Sequence, residues 1–187
     1  IATQEVDKTN PTWKTALNKP PQLIFTPGKD YFWELQTNQG NFTIKLFTDS
    51  APMHVSSTIY LTKLGFYDDL TFHRVIPGFM AQGGDPTGTG TGGSPLPNLA
   101  AEFSPPSRAR FLRGVCGMAR AADPNSANSQ FFIMFAPAPS LDGQYTIWGR
   151  VTAGMEAVDK IKRGSGGSGV VQGPDRLRSM RVAADIR

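Results

Sequence analysis

A mainly β fold, a barrel of about eight short strands with two helices covering its ends, is what this sequence predicts. Three observations point to it. Apolar runs are short, many alternate with period two, and they carry the β-branched and aromatic residues that suit a pleated surface. Only two stretches repeat their apolar residues near helical spacing. The 187 residues include 20 Gly and 15 Pro, more punctuation than a fold of long helices carries.

Residues 1–30 are polar and irregular, broken by Pro11, Pro20, Pro21 and Pro27. They read as an N-terminal extension whose Trp13, Leu17, Leu23, Ile24 and Phe25 can lie against the body. The domain proper is expected over residues 31–187. Its first two strands, 31–37 and 42–47, flank the turn 38–41 and so form a hairpin. Asp49 or Ser50 then offers an N-cap ahead of Pro52. Val55, Ile59, Tyr60 and Leu64 mark a helix over 52–64 that stops at Gly65. Residues 72–84 form two short strand pieces, broken by a turn at Pro77-Gly78. Gly, Thr and Pro make 86–108 a loop, and 115–119, 130–135 and 145–151 follow as strands. A short helix is expected at 155–161, a flexible linker at 164–173 and a last strand at 178–186.

Composition removes several function classes. The net charge of +4, from 19 basic and 15 acidic residues, is a solvated surface rather than a nucleic-acid footprint. No apolar run approaches the roughly 18 residues that a membrane span needs. A single cysteine, Cys116, excludes an internal disulfide, and its apolar neighbours make it a small buried hydrophobe. The chain starts at Ile1 rather than Met, which sets the expectation that an upstream segment was removed or omitted. The two histidines, His54 and His73, have no ligand-spaced partners, so neither a metal nor another cofactor is expected, and His73 reads as a buried, hydrogen-bonded residue. Ser126, Ser129 and Ser140 lack the context of a nucleophile elbow. The run Gly88–Ser94 looks like a phosphate loop, but prolines flank it and no lysine follows.

What remains is a permanent cation and two amides, Arg74, Gln82 and Gln130, beside the apolar Phe79, Met80, Phe132 and Leu141. Such a site suits chemistry with no covalent step and no proton transfer. Rotation about the peptide bond before a proline is one case, opposed by a barrier of roughly 20 kcal/mol. As the amide twists, the proline nitrogen regains a lone pair, and a guanidinium that donates to it binds the twisted state best. The alternative duty for Arg74 is structural, an ion pair with a carboxylate such as Glu102.

The run FHRVIPGFMAQGGD (72–85) resembles the signature of the cyclophilin-type peptidyl-prolyl cis-trans isomerases. GTGTGGS (88–94), GMA (117–119), SQFFI (129–133) and LDG (141–143) reinforce it in the family's order, and the likeness runs from about Phe32 to Ile186. It implies an eight-stranded antiparallel barrel capped by two helices, with the substrate groove outside the barrel. It makes Arg74 the catalytic residue and Phe79, Met80, Phe132 and Leu141 the proline pocket. Gln82 and Gln130 then hold the substrate backbone, and Ala119 and Arg120 frame the residue before proline. Arg120 departs from the asparagine of eukaryotic members. Tyr145 stands where they carry a pocket histidine, and Ser140 where many carry a tryptophan associated with cyclosporin.

The resemblance thus implies a prolyl isomerase acting on proline-containing polypeptides and assisting their folding, with weakened cyclosporin binding. The departures are of a bacterial kind, which sets the bacterial periplasm or cytoplasm as the expected compartment, and a monomer is expected. Two other readings compete with the enzyme. One is a binding module that captures Xaa-Pro segments, and the other is a barrel holding a small ligand in its lumen. Bulky Phe131 and Ile133 argue against the second.

Overall fold

The computed structural model describes residues 5–15, 17 and 22–186. Among them are eight strands, β1 Lys29–Thr37, β2 Gly40–Leu46, β3 Arg74–Ile76, β4 Met80–Gly83, β5 Val115–Met118, β6 Phe131–Met134, β7 Ile147–Ala153 and β8 Leu177–Ile186. Two α-helices, α1 Pro52–Leu64 and α2 Met155–Asp159, complete the expected set. The strands form one antiparallel sheet in the order β3-β4-β6-β5-β7-β2-β1-β8. It curls until its ends meet. Thr71, ahead of β3, bridges Arg176, ahead of β8, and Leu177 donates to the Leu70 carbonyl at 2.8 Å. Register shifts at Gln36/Thr37, Thr43/Ile44 and Cys116/Gly117 supply the local bends that such curling needs.

The β1–β2 hairpin turns at Asn38-Gln39, where Thr37 pairs with Gly40. Helix α1 ends as expected, with Gly65 left-handed (φ 75°) and Phe66 N–H donating to the Leu61 carbonyl at 2.9 Å. Its start differs. Neither Asp49 nor Ser50 caps it, because Ala51 holds the cap position. The Glu102 carboxylate does so from afar, accepting from the N–H groups of Met53 and His54 at 3.0 Å each, and it sits 2.6 Å from His54 Nδ1.

Helix α1 is buried almost all round, with only Lys63 exposed. The arm contributes to this. Leu23 N–H donates to Ser56 Oγ at 3.2 Å, and Val6, Trp13, Leu17, Leu23 and Phe25 pack against the core. Ile24 points away and is 99% exposed, so it is the one expected arm contact that fails. Pro20 and Pro21 lie outside the described residues.

The lumen is filled with rings. Trp33 meets Tyr67 and Phe131 edge-on at 5.1 Å and Trp148 at 5.5 Å, all essentially without solvent exposure. The reading of a ligand carried inside the barrel therefore fails. A second, smaller apolar cluster lies on the other face of β4, β5 and β6: Met80, Phe111, Val115, Phe132, Met134, Ala138 and Ile147. It forms the floor of the site.

Candidate active site

Pro77 and Gly78, with Gly78 at φ 68°, turn the chain between β3 and β4. That turn sets Arg74 directly opposite Gln82, and Ile76 opposite Met80. Alternation along β4 then sends Met80 and Gln82 outward while Ala81 and Gly83 face inward. On β6, next to β4, Phe132 is Gln82's cross-strand partner and shares that outer face.

Nine of the ten expected site residues line one hollow of about 230 Å³: Arg74, Phe79, Met80, Gln82, Ala119, Arg120, Phe132, Leu141 and Tyr145. The tenth, Gln130, lines an adjoining hollow of about 530 Å³ that shares Gln82, Ala119 and Arg120 with the first. The two form a groove on the outer face of the sheet. Its apolar end is firm. Phe132 is stacked on the buried Phe111 at 5.6 Å, and Tyr145 meets Phe132 edge-on at 5.8 Å. Phe111 fits there because Gly117 has no side chain, since a Cβ on Gly117 would lie 2.7 Å from the Phe111 ring and 2.4 Å from that of Phe132.

Arg74 is held on two sides. Its Nε donates to the Ser168 carbonyl at 3.0 Å and its Nη1 to Gln82 Oε1 at 3.1 Å. The amide of Gln82 in turn donates to Gln130 Oε1 at 2.8 Å. Glu102 is engaged with His54 and the start of α1, so the alternative of an Arg74–Glu102 ion pair does not occur. Although burial would raise it, the Glu102 pKa is held below the ordinary range by hydrogen bonds from His54 and the helix N–H groups.

Arg120 is occupied too. Its guanidinium lies over the Tyr145 ring at 4.5 Å and donates to the carbonyls of Gln144 (2.8 Å) and Ala121 (2.9 Å). It clamps the groove wall rather than standing free. Ser140 is exposed in the short 3-10 turn Pro139–Leu141.

Residues 164–173 are not the loose linker expected from their glycines. Gly169 accepts from Val75 N–H at 2.7 Å, Val171 N–H donates to the His73 carbonyl at 3.1 Å, and Ser168 supplies the Arg74 contact. Ser168 is a contact of the candidate site that the sequence reading missed. A backbone carbonyl 94 positions from its partner leaves no sequence signal. His73 is buried as expected and burial pushes its pKa down, but neither ring nitrogen reaches hydrogen-bonding geometry. No group of three or more potential ligands capable of holding a metal occurs among the described residues.

Residues 32–182 match the family described as cyclophilin type peptidyl-prolyl cis-trans isomerase/CLD. The chain belongs to that family. A probable peptidyl-prolyl cis-trans isomerase of Brucella suis is 47% identical over 165 residues, covering 82% of this chain and 83% of the relative. The peptidyl-prolyl cis-trans isomerase of Helicobacter pylori strain J99 is 44% identical over 138 residues, covering 73% of this chain and 83% of its own length. Among solved structures, a cyclophilin-type isomerase of Cryptosporidium parvum superposes with a TM-score of 0.75 at 30% identity, covering 82% of this chain and 98% of that one. The eight-stranded antiparallel sheet with two helices is thus the cyclophilin fold, and the chain is a cyclophilin-type prolyl isomerase.

Proposed function

We propose that Arg74 is the catalytic residue, and that it acts on Xaa-Pro bonds of polypeptides laid along the groove, assisting their folding. The observation that carries this reading is the way the guanidinium is tethered. Nε and Nη1 are bound to Ser168 and Gln82, whereas Nη2 has no hydrogen bond among the described residues and the side chain borders the apolar hollow. A pyrrolidine ring held by Phe79, Met80, Phe132 and Leu141 would anchor one side of the bond. Gln82 and Gln130 would hold the backbone on the other side, and Ala119 and Arg120 would frame the residue before proline, with Tyr145 as a wall.

As the bond twists, its nitrogen loses conjugation and becomes an acceptor. A preset donor strengthens its contact only then, so the twisted state gains more than either planar one. No proton moves and no covalent bond changes. A guanidinium, always charged and rigidly forked, suits this better than a lysine. The arm, residues 1–30, we read as an addition to the isomerase domain 31–187, supported by the packing of its described apolar residues against the core and by the Leu23–Ser56 contact with α1.

Isomerisation of an Ala-Pro peptide by wild type and Arg74→Ala tests the mechanism. Loss of one such donor should lower kcat/KM by about 10²- to 10³-fold, with the fold intact by circular dichroism. A near-normal rate in the variant removes Arg74 from the mechanism. Background rates in both proteins would favour the binding-module reading instead.

Weak cyclosporin binding is the second expectation. It rests on the small, exposed Ser140 and on the Arg120-capped Tyr145, which offer neither an indole donor nor its contact area. A competition titration should show inhibition well short of nanomolar, and nanomolar inhibition would overturn it.

A further inference from the structure

The loop that imitates a phosphate cradle wraps around a carboxylate of its own chain. Asp85, just beyond β4, is 1% exposed and accepts four hydrogen bonds. Thr87 gives its N–H and its hydroxyl to Oδ1 at 2.8 Å each, and Gly90 and Gly92 give their N–H groups to Oδ2 at 2.6 and 3.1 Å. Gly92 comes so close that a Cβ would lie 2.3 Å from Oδ1. Successive N–H groups converge on an anion as they would on a phosphate, but the anion is built in.

The same two glycines face the groove through their carbonyls. Gln130 Nε2 donates to the Gly90 and Gly92 oxygens at 3.1 and 2.7 Å. That leaves Gln130 Oε1 toward Gln82, which must answer with its amide nitrogen at 2.8 Å. Gln82 Oε1 is thereby turned to Arg74 Nη1 at 3.1 Å. Each amide has one donor and one acceptor end, so fixing one end of the chain fixes every orientation along it. If either amide flipped, NH2 would meet a donor.

We propose that Asp85 is a positioning residue for Arg74, acting through the loop 87–92, Gln130 and Gln82. With an amide in place of the carboxylate, one of the two oxygens becomes an NH2, so either the Gly90 and Gly92 N–H groups or the Thr87 donors face a donor, the loop carbonyls drift, and the amide chain loses its direction. Arg74 is then tethered at Ser168 alone. This inference rests on the isomerase reading above. The simpler role for Asp85, holding its loop for stability only, makes different predictions.

Asp85→Asn keeps the shape and removes the charge. Its kcat/KM on an Ala-Pro peptide should fall between about 10- and 100-fold, the scale of a misplaced catalytic geometry, chiefly through kcat. In a Gln82→Leu background the same substitution should have almost no further effect, because the relay is already cut. The NMR signal of Arg74 Nε–H should shift or broaden in Asp85→Asn. Thr87→Val, which removes one of the four donors and keeps the charge, should give a smaller effect of the same kind should Asp85→Asn fold poorly.

Wild-type kcat/KM in Asp85→Asn with only a lower Tm would overturn the proposal. An equal loss in both backgrounds, or an unchanged Arg74 signal, would do the same. If wild type itself shows no catalysis, the isomerase reading falls, and the Arg74 signal still decides the coupling.

Discussion

Phe131 and Phe132 are neighbours in sequence and are both nearly sealed from water, yet they belong to different halves of the molecule. Phe131 points into the lumen among Trp33, Tyr67, Phe72 and Trp148. Phe132 points to the outer face, stacked on Phe111 and edged by Tyr145, where it lines the groove. Along β4 the same alternation divides Ala81 from Met80 and Gln82. A strand that is apolar on both faces can thus carry the core on one side and the candidate site on the other. The cost is that the site rests on a thin second cluster and on hydrogen bonds between loops, rather than on the filled barrel.

The pair offers the sharpest way to break this comparison. Phe131→Ala should cost about 3–5 kcal/mol of stability, as large core truncations do, read from denaturant unfolding. Phe132→Leu should leave most of the stability in place and raise KM for a prolyl peptide, because the flat wall of the pocket is gone. If the two variants lost stability and activity in the same proportion, the division between lumen and groove would be wrong.

Much of this was legible in the sequence where local rules decide. The β1–β2 hairpin followed from period-two alternation around a short polar turn, and Gly65 ended α1 as a left-handed cap. The Pro77-Gly78 turn sets Arg74 against Gln82, so the centre of the site could be read from one stretch. Contacts between distant segments were not legible. The cap of α1 comes from Glu102, 49 positions on from Met53. The glycines of 164–173 promised flexibility, but they permit close approach. A Cβ on Gly169 would lie 2.5 Å from the Ile76 side chain, and this segment carries the Ser168 carbonyl to Arg74. For the run 131–135, apolar throughout, periodicity alone could not say which ring faced in, and it was the family resemblance that put Phe132 in the pocket.

Acid should separate the two halves by a smaller effect. The carboxylates that staple loops, Asp85, Glu102 and Asp175, are all held below their ordinary pKa. In each, burial alone would raise the pKa, and hydrogen bonds outweigh it. For Asp85 these come from Thr87, Gly92 and Gly90, and for Asp175 from Gln39, Lys162 and Asn38. A folded pKa below the unfolded one gives stability that is complete above the unfolded value, about 3.9 for aspartate, and lost as pH falls through the folded value. The lumen's own buried groups, Tyr67 and Cys116, are pushed upward by burial and stay neutral throughout this range. On lowering the pH, the Gly90 and Gly92 amide resonances and the isomerase rate should therefore change first. Their midpoint should lie below about pH 3.9, while the fluorescence of Trp33 and Trp148 should hold longer. Loss of the tryptophan signal at the same or a higher pH would mean that the loops and the barrel unfold as one unit, and that the groove has no separate stability to lose.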